Sequence, residues 1–351
     1  MNQRNINLRN SVGGGMKSHE SLFNDIISLE NLFLAWEEFK KGKTKKVDVL
    51  DFEFKLEDNL FELHQELKNK TYKHSHYTSF NVCDPKLRRI HKACVRDRVL
   101  QHAVFRKLYP LFDGSFIFDS YSCRIGKGTH RASKRLENFS RKLSKNNKRN
   151  FLALKCDVRK FFDSVDKNIL KKLIGKRIKD KDTSWLIYEI IDSFEKEKGK
   201  GLPLGNVTSQ LFANIYLNEF DQFIKHKLKA NYYLRYCDDF LILSDDKEYL
   251  FSCLEKISVF LKENLKLLLH PDKVSIIKYS QGIDFVGYVV LPHYKTLRTK
   301  TKKRIVKKVS KNKEDLKNNI ISKEYFDVSL NSYLGVLKHC DGYKIERILK
   351  L

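Results

Sequence analysis

Asp238 and Asp239 stand side by side in LRYCDDFLILSDD, Leu234 to Asp246, between two runs of strand-forming residues. A hairpin tip this tight favours Asn-Gly or Asp-Gly, because its turn needs positive φ. Two carboxylates in that place raise the question of what they hold. Phosphoryl transfer between polyanions needs charge neutralised at the reacting phosphate. Two Mg²⁺ ions roughly 3.5–4 Å apart can grip the attacking and leaving oxygens of an in-line displacement. Mg²⁺ takes one or two carboxylates together with phosphate oxygens and water. A third carboxylate, Asp157, ends the strand-like run FLALKCDV, Phe151 to Val158. Three converging carboxylates repel one another unless a cation lies among them. The plainer alternative is an aspartate-rich turn that is simply solvated.

The elements that must position these groups follow from periodicity. Apolar residues recur at helical spacing from Ser18 to Lys41, and a second helix is expected from about Val47 to Leu67. YTSFNVCDPKLRRI reads as two short strands around a turn at Asp84-Pro85, and CVRDRVLQHAVFRKLYP as a helix stopped by Pro110. NYYLRYCDDFLIL predicts strand, turn, strand; KVSIIKY and GIDFVGYVV predict two more strands. Asn206 is placed to cap the helix that follows it. The last sixty residues carry sixteen Lys/Arg against six Asp/Glu in a mostly helical pattern. Mixed strands and helices with a basic helical end define an α+β core with an appendage.

Composition narrows the partners. The 351 residues include 24 Phe and 16 Tyr, which suits a folded chain. Lys+Arg number 69 against 43 Asp+Glu, a net charge of +26, which points to a polyanion such as a nucleic acid backbone. No apolar run is long enough to span a bilayer, so no membrane is expected. Seven scattered cysteines without a CxxC pair fit reduced thiols in a cytoplasm. The HSH at His74 to His76 is expected to be a solvated strand edge, the alternative being a metal site.

Seven stretches, in order, resemble the sequence boxes of reverse transcriptases. KLRRI (from Lys86) with VRDRVLQ is similar to the fingers segment, and SYSCRIGKGTHRA to the box of SYGFRPGRS type. LKCDVRKFFDSVD resembles the first palm carboxylate box, LPLGNVTSQLFANIYLNEFD the nucleotide-contacting helix and RYCDDFLIL the YxDD box. LLLHPDKVSI and GIDFVGY resemble the lysine-bearing box and the primer-grip hairpin. The resemblance runs from about Lys86 to Tyr288. It implies a right-hand polymerase of fingers, palm and thumb, with an RRM-like antiparallel palm sheet and a small helical thumb. The implied division is a flexible leader at 1–18, N-terminal helices and fingers at 19–150, palm at 151–290 with the nucleotide-contacting helix at 203–230, and a basic helical thumb at 291–351. Met16 offers an alternative start.

Roles carry over residue by residue. Asp157, Asp238 and Asp239 match the catalytic triad that holds two Mg²⁺ ions, with the backbone of Val158 as a further ligand. Phe162, five residues after Asp157, matches the aromatic that blocks the ribose 2′-hydroxyl; a core phenylalanine beside Phe161 is its plainer role. Arg88 and Arg89 match the fingers positions that meet the incoming triphosphate, and Lys273 the lysine near the leaving pyrophosphate, a general acid. Tyr236, Leu204, Gly205 and Gln210 complete the nucleotide-binding set, Gly205 by letting backbone approach the nascent base pair.

The box LPLGNVTSQ departs from the commoner QGxxxSP pattern, with Leu204 in place of glutamine and Gln210 in place of proline. That form, and the tail NSYLGVLKHC, resemble reverse transcriptases of diversity-generating retroelements. The resemblance implies mutagenic copying of a template-repeat RNA into cDNA with errors opposite adenine, in a bacterial or phage-encoded system. Its partners would be template RNA, a DNA or RNA primer, dNTPs and a small, basic, oligomeric accessory variability protein. Stand-alone group II intron-like, retron-like or phage-defence reverse transcriptases are the alternatives. A metal-dependent nuclease would not need Phe162 or Lys273, and a non-catalytic RNA-binding protein would not need the three aspartates. The basic runs Arg131–Arg149 and Arg298–Lys313 are expected to track template–primer phosphates.

Overall fold

A computed structural model describes residues 22–83 and 87–350. The proposed leader, the Asp84-Pro85 turn and Lys86 lie outside the described residues. The chain divides into two units: 1–110 with 171–194 and 205–208, and 111–170 with 195–204 and 209–351.

In the first unit, four helices (Leu22–Ile27, Leu29–Lys40, Val47–Phe54 and Leu56–Lys68) precede an exposed hairpin of β1 (Thr78–Cys83) and β2 (Leu87–Lys92). Both long helices expected here are broken. Ser28 starts a new helix by accepting the Asn31 N–H, so the first pattern divides at a cap. Lys55 leaves helical geometry at φ −121°, ψ 40° and divides the second. Pro110 does not stop its helix, which runs from Val95 to Asp113. Proline lacks one backbone donor, and close to a helix end that loss is outweighed by burying Leu108, Tyr109 and Phe112.

The second unit is built on an antiparallel sheet in the order β4-β5-β3-β6. Its strands are β3 (Leu152–Asp157), β4 (Tyr232–Tyr236), β5 (Asp239–Ser244) and β6 (Ser275–Lys278). Both faces are covered, which is why β5 reads as an unbroken apolar run. Leu234, Leu241 and Leu243 pack with Leu136 and Phe139 of the helix Thr129–Leu143. Tyr233 and Phe240, one residue out of phase, meet Phe220. This is the period-two alternation of a pleated strand. The α+β class with an antiparallel central sheet is thus the observed one.

GIDFVGYVV, one strand by its pattern but a hairpin by the family resemblance, forms the hairpin: β7 (Ile283–Phe285) and β8 (Tyr288–Val290), turning at Val286-Gly287. Both turn residues have positive φ, 47° and 89°. A ninth strand, β9 (Lys295–Leu297), closes the meander. The helices Thr299–Lys317, Lys323–Leu337 and Tyr343–Lys350 then gather Ile305, Val309, Leu337 and Leu349 into a small core with Tyr288 and Leu297. Among the described residues no helix is long and apolar enough to cross a membrane.

Candidate active site

Asp157 ends β3 and Asp239 begins β5, and the two are direct cross-strand partners. Opposed residues in an antiparallel pair point to one face with Cβ atoms about 4.5–5.5 Å apart, and like charges there repel. Asp238 occupies the two-residue turn between β4 and β5, where Tyr236 opposes Asp239. Its backbone carbonyl accepts the Val158 N–H at 3.1 Å, so the turn is clamped to the end of β3. The positive φ that such a turn demands falls on Cys237, at 56°. A cysteine there is strained by about 1–2 kcal/mol relative to glycine.

The strained turn is anchored from below. Arg235, wholly buried, directs Nε and Nη2 at the two oxygens of Asp221, at 2.7 and 2.6 Å. Its remaining donors reach Ser120 Oγ, Asn214 Oδ1 and the carbonyl of Cys237, the last at 3.0 Å. All five guanidinium hydrogens therefore have acceptors. Burial opposes the charge of Arg235, and Asp221 more than offsets it, so its pKa is raised. Tyr233 adds a hydrogen bond to Asp221 at 2.7 Å. Backbone bonds from Arg235 to Asp119 and from Tyr121 to Arg235 tie the SYSCRIGKG loop to β4. None of these anchoring residues is in the expected site set. The signal was available: an arginine inside an apolar strand must have a buried acidic partner.

Lys273 is brought to the carboxylates. His270 N–H donates to the Asp157 carbonyl at 2.8 Å, which brings the turn Pro271–Lys273 against β3. The Lys273 ammonium then lies 2.6 Å from Asp157 Oδ1. Lys155, on the same strand face as Asp157, stands 4.0 Å from Asp239 and donates to the Asp284 carbonyl. Burial pushes Asp239 up to about 7; Lys155 opposes that, and Asp157 and Asp238 add to it. Burial, and then Asp157, also raise Asp238.

These observations bear on the expected Mg²⁺. Asp239 Oδ1 is buried without a hydrogen-bond partner, and burial, with repulsion from neighbouring carboxylates, holds Asp238 and Asp239 above their usual range. Hard oxygen donors in that condition fit a divalent cation. Among the described residues, however, no three acidic, histidine or cysteine side chains converge closely enough to form a finished metal cage. Lys273 on Asp157 supplies part of the missing charge.

Other expected residues are placed as follows. Phe162 is half-buried in the short helix Phe161–Ser164, edge-on to Phe161 at 5.3 Å, and its carbonyl accepts from Leu202. Val158 is buried and Tyr236 and Leu204 half-buried, whereas Gln210 is exposed. Arg88, Arg89 and Gly205 belong to the first unit. Both arginines are exposed on β2. Arg89 donates to Ser79 Oγ at 3.2 and 2.9 Å, and Arg88 has no partner among the described residues. Gly205 has φ 115°, and a Cβ there would lie 3.1 Å from Ile90. The backbone conformation favours glycine, and a Cβ would press on the Ile90 side chain of β2.

Two expectations fail. Asn206 does not cap the helix Val207–Gln222: its Oδ1 accepts nothing, and its amide nitrogen donates to Tyr77 at 3.3 Å. His74 is no solvated strand edge, because its ring is buried 3.5 Å from Asp97 and stacked on Tyr77.

A family model described as "Reverse transcriptase (RNA-dependent DNA polymerase)" matches residues 73–290, more than half of the chain. The chain belongs to the reverse transcriptase family. Protein YkfC of Escherichia coli is 27% identical over 241 residues, covering 58% of this chain and 63% of YkfC. The group II intron-encoded protein LtrA of Lactococcus lactis is 26% identical over 307 residues, covering 66% of this chain and 49% of LtrA. The chain thus spans about half to two-thirds of the length of these relatives. An apo telomerase from Candida tropicalis aligns at 17% identity with a TM-score of 0.49, over 64% of this chain and 55% of that one.

Proposed function

We propose that this chain is an RNA-directed DNA polymerase that copies template-repeat RNA of a diversity-generating retroelement, with errors opposite adenine. The polymerase reading rests on one observation above others: Asp157 and Asp239 in cross-strand register beside the turn that carries Asp238. A solvated hairpin would not bury a carboxylate oxygen without a partner.

Asp157, Asp238 and Asp239, with the backbone of Val158, would hold Mg²⁺. When bound it supplies charge neutralisation at the phosphate and a more acidic primer hydroxyl. The protein's own part is to fix this constellation: Arg235 holds the turn, and Lys155 balances charge beside Asp239. Lys273 lies on Asp157 and must leave it to protonate the departing pyrophosphate. Phe162, propped by Phe161, stands as the sugar gate. Arg88, Arg89 and Gly205 are assigned to the nucleotide by the family resemblance, as are Leu204, Gln210 and Tyr236. By the family resemblance fingers, palm and thumb divide near residues 150 and 290, boundaries that differ from those of the two compact units, and the chain works in the cytoplasm on template and primer.

The subtype rests on Leu204 and Gln210. An apolar side chain in place of a hydrogen-bonding one discriminates close analogues by only about 1–3 kcal/mol. That weak margin is the physical basis for misincorporation, and the small basic accessory protein is the partner this reading adds. The similarity to LtrA favours a second reading, a stand-alone group II intron-like enzyme that copies faithfully.

Primer extension on a defined RNA template with Mg²⁺ and all four dNTPs, followed by product sequencing, separates them. Errors concentrated opposite adenine, reduced by Leu204→Gln, are expected. Faithful cDNA would shift the assignment to the intron-like enzyme. Asp238→Ala is expected to abolish synthesis while RNA binding persists; synthesis by that variant would overturn the polymerase assignment.

A further inference from the structure

Tyr77 immediately precedes β1 and stands outside the expected nucleotide-binding set. Its hydroxyl joins two other segments of the first unit. Ser193, just past the helix Lys181–Asp192, gives its own proton to the Ile190 carbonyl at 2.7 Å and so accepts from Tyr77 at 2.9 Å. With its one proton given, the Tyr77 oxygen accepts from the Asn206 amide nitrogen at 3.3 Å. Burial pushes Tyr77 up to about 12, so the hydroxyl keeps its proton. Behind it, His74 donates Nδ1–H to the Ser75 carbonyl at 2.7 Å and accepts the Gln101 amide on Nε2 at 3.2 Å.

The ring is held as closely as the hydroxyl. It stacks on His74 at 4.8 Å and meets Phe194 edge-on at 5.7 Å, and Phe194 lies 4.6 Å from His91 of β2. Gly205 reaches the same strand: a Cβ there would lie 3.1 Å from Ile90 and 3.7 Å from the His91 carbonyl. Asn206 beside it is buried, with Oδ1 unpartnered and Nδ2 bonded to Tyr77 alone among the described residues. One hydroxyl therefore makes the side-chain bond that ties the Gly205-Asn206 turn to its surroundings.

We propose that Tyr77 is a positioning residue for the incoming nucleotide: its hydroxyl fixes the Gly205-Asn206 turn against β2, and so sets the span between that glycine and the arginines of the strand. This role rests on the reading that assigns Arg88, Arg89 and Gly205 to one nucleotide. A nucleotide met at its phosphates by β2 and at its base by Gly205 is held well only where the two contacts keep their spacing. A tyrosine that served packing alone would be replaceable by phenylalanine, since the ring contacts to His74 and Phe194 need no hydroxyl. Without the hydroxyl both polar atoms of the buried Asn206 amide are left unbonded, and the turn is the part that loosens.

The test is single-nucleotide incorporation by the full chain on a defined RNA template with a DNA primer and Mg²⁺, comparing Tyr77→Phe with the wild type. KM for the correct dNTP is expected to rise about fivefold, the size of one lost hydrogen bond, while kcat and the Kd for template–primer stay unchanged. A purely structural role would lower the active fraction, and with it kcat, at unchanged KM; that result would overturn the proposal. Ser193→Ala removes the acceptor of the Tyr77 proton and keeps the ring, so it should raise KM by a smaller factor. It decides the matter if Tyr77→Phe does not fold. Hydrogen exchange without substrate measures the hold itself: peptides covering Gly205 to Thr208 should exchange faster in Tyr77→Phe, with β3 and β5 unaffected. Unchanged exchange at the turn would overturn the proposal, as would faster exchange at unchanged KM. A wild type that makes no cDNA would overturn the polymerase reading, and exchange at the turn would still decide whether Tyr77 holds it.

Discussion

At the scale of single residues, the site is a problem of charge kept out of water. Asp239 is drawn up to about 7 because burial removes water from one oxygen while Asp157 and Asp238 stand near. Lys155 and Lys273 relieve this in part, each by facing one carboxylate. Phe162 is the residue at this scale whose role is most directly measurable. Its ring leans on Phe161 and is half-buried, so trimming it leaves the deeper Phe161 in place. Phe162→Ala is expected to raise ribonucleotide incorporation relative to deoxynucleotide by roughly tenfold or more, as loss of steric exclusion in a pocket does. Competing rNTP and dNTP in primer extension measures it, and an unchanged ratio would remove the gate assignment.

At the scale of elements, the β4–β5 hairpin depends on a buried ion pair. Arg235 and Asp221 are both excluded from water, and a pair of this kind is worth little against an apolar replacement. Breaking it by removing one partner is another matter, costing about 3–5 kcal/mol because a buried charge is stranded. Asp221→Leu is therefore expected to lower stability by that order in urea denaturation. The double variant Arg235→Met with Asp221→Leu should recover most of the loss. The double variant also loses the bond from Arg235 to the Cys237 carbonyl. It should remain folded yet make less cDNA, because the strained turn then keeps only its clamp to the Val158 N–H. Recovery of both stability and synthesis would show that the anchor serves folding alone.

At the scale of the whole molecule, net charge of +26 makes acid an added load. His102 shows where that load acts. Burial, with Lys43, Arg98 and Arg106 nearby, lowers its pKa to about 4. The unfolded chain binds this proton below the ordinary value of 6.5, while the folded chain resists it down to about 4. Stability from this group is therefore complete above pH 6.5 and is lost as pH falls toward 4, by up to about 3 kcal/mol. His102→Gln should remove that part of the acid sensitivity, and the pH dependence of Tm between 7 and 4 would show it as a flatter curve. An unchanged slope would mean that other groups carry the acid transition.

Much of this was legible before any coordinate was known. The strands flanking the carboxylates and the α+β class follow from residue types and periods, which are local properties of the chain, whereas Asp157, Asp238 and Asp239 were legible as one site through the resemblance to reverse transcriptases. Tyr232–Tyr236 and Asp239–Ser244 read as strands on either side of a turn because aliphatic and aromatic residues alternate onto two covered faces. The cap at Ser28 was a local signal hidden inside an apolar period that runs through it, whereas the break at Lys55 and the passage of the helix through Pro110 were not legible, because those helix ends are decided by which side chains find a buried place. The roles of Asn206 and His74 were misjudged for the same reason: Tyr77 and Asp97, distant or separate in sequence, claim them in the fold. The sequence by itself determined, through the resemblance of its boxes to those of reverse transcriptases, which carboxylates were expected to gather. Only the tertiary structure decided how they are held, because Arg235 and Asp221, Lys273 and Asp157, and Lys155 and Asp239 meet across elements whose register no local pattern encodes.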